Sequence, residues 1–250
     1  MLYTLVLAMA ALSAAPDVDA LFAQIAEKRA GLEVLEADFV EVSELPGDVL
    51  STEGSLLYAK PRRIVYRTEE PSRITLVERD MGYEYEPELK QLVMYDLAEF
   101  PQIDAFFLGF HEDLPALREA YVVDTFTVLN EPSGSVGIRL KPKDDEEGDA
   151  FFLEASIFLR DTDLLPYRII IDNEEDTRTV ININQDSLRI NHQPGPERTV
   201  ITVAPGTTIV RNNEVMRIVE DMPEVLPDPI RFDAAENTPA NEDGPGESAE

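Results

Sequence analysis

After Gly31 the hydrophobic period of this chain changes from that of a helix to that of a strand, and it stays there for most of the remaining length. Before the change, Leu21, Phe22 and Ile25, with Leu32, mark one apolar side, while Asp19, Gln24, Glu27 and Lys28 lie elsewhere. That pattern predicts a helix over 18–29, capped by Asp17 and stopped by Gly31. After the change, Leu35, Ala37, Phe39 and Glu41 alternate with Glu36, Asp38 and Val40, and Pro46-Gly47-Asp48 makes a turn. Further strands are expected over 54–59, 63–68, 73–79, 82–86 and 90–95. The links between them, such as Lys60-Pro61-Arg62 and Asp80-Met81, suit only antiparallel neighbours. Two short helical pieces interrupt this meander over 100–120. The first carries Ile103, Phe106, Phe107, Leu108 and Phe110, the second Leu114, Leu117 and Ala120. Strands resume over 121–129, 135–140, 151–159, 167–172, 178–184 and 199–203. A mainly β chain with about eleven antiparallel strands must curl its sheet, and a curled sheet needs something on its concave side.

The two ends of the chain read differently. Leu2 to Ala15 contains no charged side chain, and the first acid is Asp17. The run is shorter than the ~20 residues a membrane-spanning helix needs. Its length is that of the apolar part of a secretory leader, with Ser13 and Ala15 placed for cleavage. No Lys or Arg precedes it and Pro16 follows the cut, so an ordinary buried first helix is the alternative. Residues 1–15 are accordingly read as a signal peptide and 16–211 as one domain. Residues 212–250 are read as an acidic tail with no strand signal, disordered beyond Phe232. The expected fate is export.

Charge and composition exclude several classes of function. The chain has 50 acids against 21 Lys plus Arg, a formal net charge of -29, which repels nucleic acid and anionic headgroups and favours a monomer. Zero cysteines exclude disulfides, thiolate metal sites and cysteine nucleophiles. His111 and His192 make a poor zinc set. Gly134-Ser135-Val136-Gly137 misplaces the serine of a nucleophile elbow. Asp172, Glu174 and Asp176 have calcium-loop spacing without the central glycine, and a hairpin turn explains them. Neither cofactor nor metal is expected. A hydrolase using two of the many carboxylates stays open by count, although most acids fall in turns or alternate outward on strands.

The apolar residues have two readings. Phe106, Phe107, Leu108 and Phe110 form either a core helix or a helix that closes one end of the curved sheet and shares its interior with a ligand. In the second reading Val65, Ile74, Leu76, Tyr83, Tyr85, Leu92 and Met94 line the wall of the hollow. Sheltering an acyl chain there gains about 0.8 kcal/mol per methylene without polar specificity. Periodicity does not separate a filled core from such a hollow.

Several segments, in order, resemble the LolA family of periplasmic outer-membrane lipoprotein carriers. Leu35-Glu36-Ala37-Asp38-Phe39 is similar to the family's first strand, and Gly54-Ser55-Leu56-Leu57-Tyr58-Ala59-Lys60-Pro61 to its G-x-L-x-x-x-R-P signature. Leu76-Val77 through Tyr85-Glu86-Pro87 and Gln91 resembles its Y-x-P…Q-V stretch, and Ala204-Pro205-Gly206-Thr207 its closing segment. The resemblance implies an incomplete β-barrel with a helical lid over a hydrophobic cavity. It implies acyl chains of lipoproteins, or another lipid, as cargo, with an inner-membrane ABC transporter as donor and an outer-membrane receptor. Lys60 stands where the family has arginine; it keeps the charge without the planar fork. Phe22, Phe39, Lys60, Val65, Leu76, Tyr85, Met94, Phe106, Phe107 and Phe110 are the candidate acyl-chain and lid residues. The expectation is a carrier rather than an enzyme, with a lipid-sensing regulatory or structural envelope module as the main alternative.

Overall fold

A computed structural model describes residues 15–97, 110, 114–129, 136–143, 152–173 and 177–227. Helix α1, Val18–Lys28, begins where the Asp17 side chain accepts a hydrogen bond from the Ala20 N–H at 3.2 Å, and it buries Leu21, Phe22 and Ile25. Strands β1 (Val34–Leu45) and β2 (Asp48–Ala59) form a hairpin in register from Leu45 opposite Asp48 to Val34 opposite Ala59. The meander continues through β3 (Arg63–Thr68), β4 (Arg73–Glu78), β5 (Met81–Glu86) and β6 (Gln91–Asp96).

Helix α2, Leu114–Ala120, leads directly into β7 (Tyr121–Thr127). Then follow β8 (Val136–Pro142), β9 (Glu154–Leu159), β10 (Pro166–Asp172) and β11 (Arg178–Ile183). Strand β11 returns to pair with β1, Phe39 opposite Ile183, and the short β12 (Arg189–Ile190) pairs with the start of β1. The hairpin of β1 and β2 is thus the middle of one large, strongly curved, open sheet, with β7 at one margin.

The chain after β12 departs from its sequence reading. Residues 196–199 form a 3-10 turn rather than the start of a strand, because Pro196 opens it and the Thr199 hydroxyl donates to the Pro196 carbonyl at 2.8 Å. Strand β13 covers only Ile201–Val203. The turn at Ala204-Pro205-Gly206, with Gly206 at φ +83°, then lays β14 (Thr208–Arg211) parallel to β6. Among the described residues this is the one parallel pair in a sheet expected to be antiparallel throughout. Two further strands occupy the region read as having no strand signal: β15 (Glu214–Ile218) pairs with β14, and β16 (Glu224–Leu226) with β13. Both are brief and acid-flanked, so neither shows in the alternation. The tail from 228 onward lies outside the described residues, as do residues 1–14.

Alternation along β1 to β6 sorts apolar side chains onto two faces, and both are covered. The inner face carries Leu35, Ala37, Phe39, Leu56, Tyr58, Ile64, Tyr66 and Val77, in one cluster with α1, α2 and the inward residues of β8 to β11. The outer face carries Val34, Leu57, Ala59, Val65, Leu76, Tyr83, Tyr85 and Leu92, and it packs against Ile201, Val203, Ile209 and Val219 of the returning chain.

Candidate functional site

The inner face is built around α1, whose apolar triad Leu21, Phe22 and Ile25 is 1–4 % exposed. Aromatic rings line the neighbouring strands: Phe39 meets Tyr66 edge-on at 5.8 Å, and Tyr58 stacks on Phe110 at 4.8 Å. Burial, with a further push from the Glu41 charge, moves the Tyr66 phenol far up, so it stays neutral.

Polar clasps hold α1 at both ends. At its C-terminal end the Lys60 ammonium donates to the Arg29 carbonyl at 3.3 Å. Lys28 donates to the carbonyls of Asp161 and Thr162, each at 3.0 Å, and the buried Arg29 guanidinium donates to the Leu164 carbonyl in the same turn between β9 and β10. At the other end Arg118 of α2 grips Asp19 with two bonds of 2.9 and 3.1 Å. Those hydrogen bonds hold the Asp19 carboxyl below its ordinary value. A cavity of about 260 Å³ opens beside the C-terminal end of α1, lined by Arg29, Leu32, Asp163 and Leu165 among others. Cations clasping carbonyls at a helix C-terminus also complement its dipole.

The candidate residues distribute over this scaffold unevenly. Phe22, Phe39 and Phe110 lie on the inner face, and Lys60 lies at its edge on the helix end. Val65, Leu76, Tyr85 and Met94, with Ile74, Tyr83 and Leu92, lie on the opposite face. The single wall expected from sequence is therefore corrected: Val65 stands opposite Leu76, Leu76 opposite Tyr83 and Tyr83 opposite Met94, so all share the side that the C-terminal strands cover. The Tyr85 hydroxyl even accepts from the Ala204 N–H at 3.2 Å. Phe106 and Phe107 lie outside the described residues. Reading the sequence overlooked Ile64 and Val77 as inner-face residues, and Lys28, Arg29, Asp19 and Arg118 as clasps.

A polar site sits on the outer face. Glu36 is 4 % exposed and is bound by Arg198 Nε at 2.9 Å, Arg189 at 2.9 Å and His192 Nε2 at 2.8 Å. Burial alone would raise this carboxyl; the Arg198 charge and hydrogen bonds, His192 and Arg189 together outweigh it and leave the value lowered. Arg198 also donates to the Ser55 hydroxyl at 3.1 Å, and Arg63 donates to the Thr199 carbonyl at 2.9 Å, so the 3-10 turn is pinned to the sheet. Just past that turn the outer face is uncovered and forms a groove of about 670 Å³, whose lining includes Asp38, Glu53, Ser55, Arg67, Glu69 and Arg198.

No family model matches the sequence, and no curated protein matches it. Among solved structures, the chain is similar to an uncharacterized conserved protein from Thermus thermophilus, at 8 % identity and TM-score 0.49, over 78 % of this chain and 98 % of that one. It is similar to an outer membrane lipoprotein-sorting protein domain from Vibrio parahaemolyticus, at 10 % identity and TM-score 0.39, over 70 % and 93 % of the two chains. A LolA superfamily protein from Nitrosomonas europaea gives 10 % identity and TM-score 0.39 over 72 % and 96 %.

Proposed function

We propose that this protein is an extracytoplasmic carrier that shelters the acyl chains of a lipoprotein or another lipid on the inner face of its sheet, with α1 as part of a movable cover. The observation that carries the reading is the manner of attachment of α1. An apolar triad seats it on the sheet, and side-chain clasps rather than strand pairing hold both of its ends. Moving such a cover breaks no backbone ladder.

The energetics are compatible with exchange. Freeing Leu21, Phe22 and Ile25 costs about 5–9 kcal/mol at roughly 1.5–3 kcal/mol per side chain. An acyl chain with roughly ten methylenes offsets that, at about 0.8 kcal/mol each. Binding is then reversible burial with no covalent step. The ordered sequence resemblance to LolA carriers supports the same reading, and delivery toward the outer membrane from a membrane-bound donor is part of the proposal.

A cross-link tests it. The chain has no cysteine, so Asp19→Cys with Arg118→Cys places two unique thiols across the clasp. Joined by a cleavable bis-maleimide, the protein is expected to lose uptake of a fluorescent fatty acid and of a lipidated peptide, and to regain it once the linker is cut. Full uptake in the locked protein would remove α1 from the mechanism, and no uptake by the unmodified protein would remove the carrier reading.

A further inference from the structure

The outer groove adjoins a free strand margin. Strand β3 accompanies β2 only from Ala59 opposite Arg63 to Gly54 opposite Thr68, and the chain then turns away. The Glu69 N–H still reaches the Glu53 carbonyl at 3.3 Å, which shows that the backbone groups of Glu53 face this side. In an antiparallel ladder every second residue faces the same way, so the groups of Ser51 and Val49 point outward beyond the end of β3. The Val49 N–H is taken by the adjacent Asp48 carboxylate at 2.8 Å, a local substitute for a ladder bond. Val49 and Leu50 are 64 % and 51 % exposed.

The charges in the groove are unevenly satisfied. Arg198 is engaged by Glu36, and Arg67 donates to the carbonyls of Glu197 and Val200. The carboxylates of Asp38, Glu53 and Glu69 have no ion-pair partner among the described residues, although all line the groove. A margin with open backbone groups at Ser51 accepts an extended main chain, and carboxylates left unneutralised beside it favour cationic side chains.

We propose that the β2 margin from Val49 to Glu53, together with the adjoining groove, docks an extended segment of a partner protein that bears lysine or arginine and adds to the sheet as a strand. The surface lies on the face opposite α1, so the docking does not depend on what the inner face binds.

The experiment uses the full chain and a fluorescent peptide of about twelve residues alternating lysine and valine, read by anisotropy, with a glutamate–valine counterpart. The lysine peptide is expected to bind and the glutamate peptide to fail. Ser51→Pro removes an N–H that the β1 ladder does not use, and it should weaken binding by about tenfold or more while leaving the thermal melt unchanged. Glu53→Lys with Glu69→Lys should do the same. Glu119→Lys with Glu220→Lys, an equal change of charge at exposed positions elsewhere, should alter affinity by less than about twofold. Unchanged binding in the folded Ser51→Pro protein, or an equal loss in the Glu119/Glu220 pair, overturns the proposal in favour of diffuse attraction to a polyanion. Binding about tenfold tighter to a chain ending at 227 overturns it in favour of the protein's own tail. A dimer that Ser51→Pro abolishes overturns it in favour of a second copy of the chain.

Discussion

Glu36 occupies a strand position where alternation places an outward, solvated acid, and the structure buries it instead among Arg198, Arg189 and His192. Its partners come late in the chain, Arg189 in β12, His192 just after it and Arg198 on the 3-10 turn, so no local window of sequence reveals the ion cluster. Because Arg189 and Arg198 remain 61 % and 34 % exposed, removing the carboxylate should fall below the usual range for a buried pair. Glu36→Gln is expected to lose about 2–3 kcal/mol at neutral pH, measured by urea unfolding. The sign with pH follows from the lowered folded value. The contribution is present in full above the unfolded value of 4.5 and disappears as pH falls through the folded one, so wild type and Glu36→Gln should converge in acid. A wild-type advantage that persists undiminished in strong acid would show that the carboxylate charge is not its source. Gly54 is a second residue whose role depends on its neighbours across the strands: a Cβ there would lie 2.4 Å from the Arg67 carbonyl and 2.6 Å from the Phe39 ring. Gly54→Ala should cost about 1–3 kcal/mol in the same assay, since the carbonyl belongs to a paired strand and cannot retreat.

Among the elements, α1 was the most legible. Asp17 as its cap and Leu21, Phe22 and Ile25 as its buried side follow from local spacing alone, because a short amphipathic helix needs only its own residues to declare itself. The β1–β2 hairpin was legible in its turn but not in its length: its outer half is exposed or half-buried throughout, so the hydrophobic alternation that marks a strand fades while the backbone pairing continues. What ties α1 down was legible only through the family resemblance, which drew attention to Lys60. The other clasps join segments far apart in sequence. Lys60→Ala removes one side-chain bond to the helix end, worth about 1 kcal/mol. Amide exchange in the last turn of α1 should then quicken about fivefold while β1 and β2 keep their protection. Unaltered exchange there would mean that Lys28 and Arg29 suffice to hold that end.

At the scale of the whole molecule, the mainly β class and the curled open sheet were readable, since they depend on period and on link length. Which side of the sheet each apolar set faces was not. Alternation defines two sets along β3 to β6, and here both are apolar, Ile64, Tyr66 and Val77 on one side and Val65, Leu76 and Tyr83 on the other. Only the returning C-terminal strands decide which set meets the helix. A chain ending at 200 should therefore expose the outer set and bind a hydrophobic dye strongly, whereas a chain ending at 227 should melt like the full protein. Equal melting of the two would mean that β13 and β14 add little to the outer layer. The joints that unite the two ends of the sequence have a kinetic consequence too. Phe39 must wait for Ile183 and Gln91 for Thr208, so long loops have to close before either layer can lock. Such wiring places folding in the range of milliseconds to seconds rather than microseconds, and over that interval the newborn polypeptide stays slack enough to be threaded.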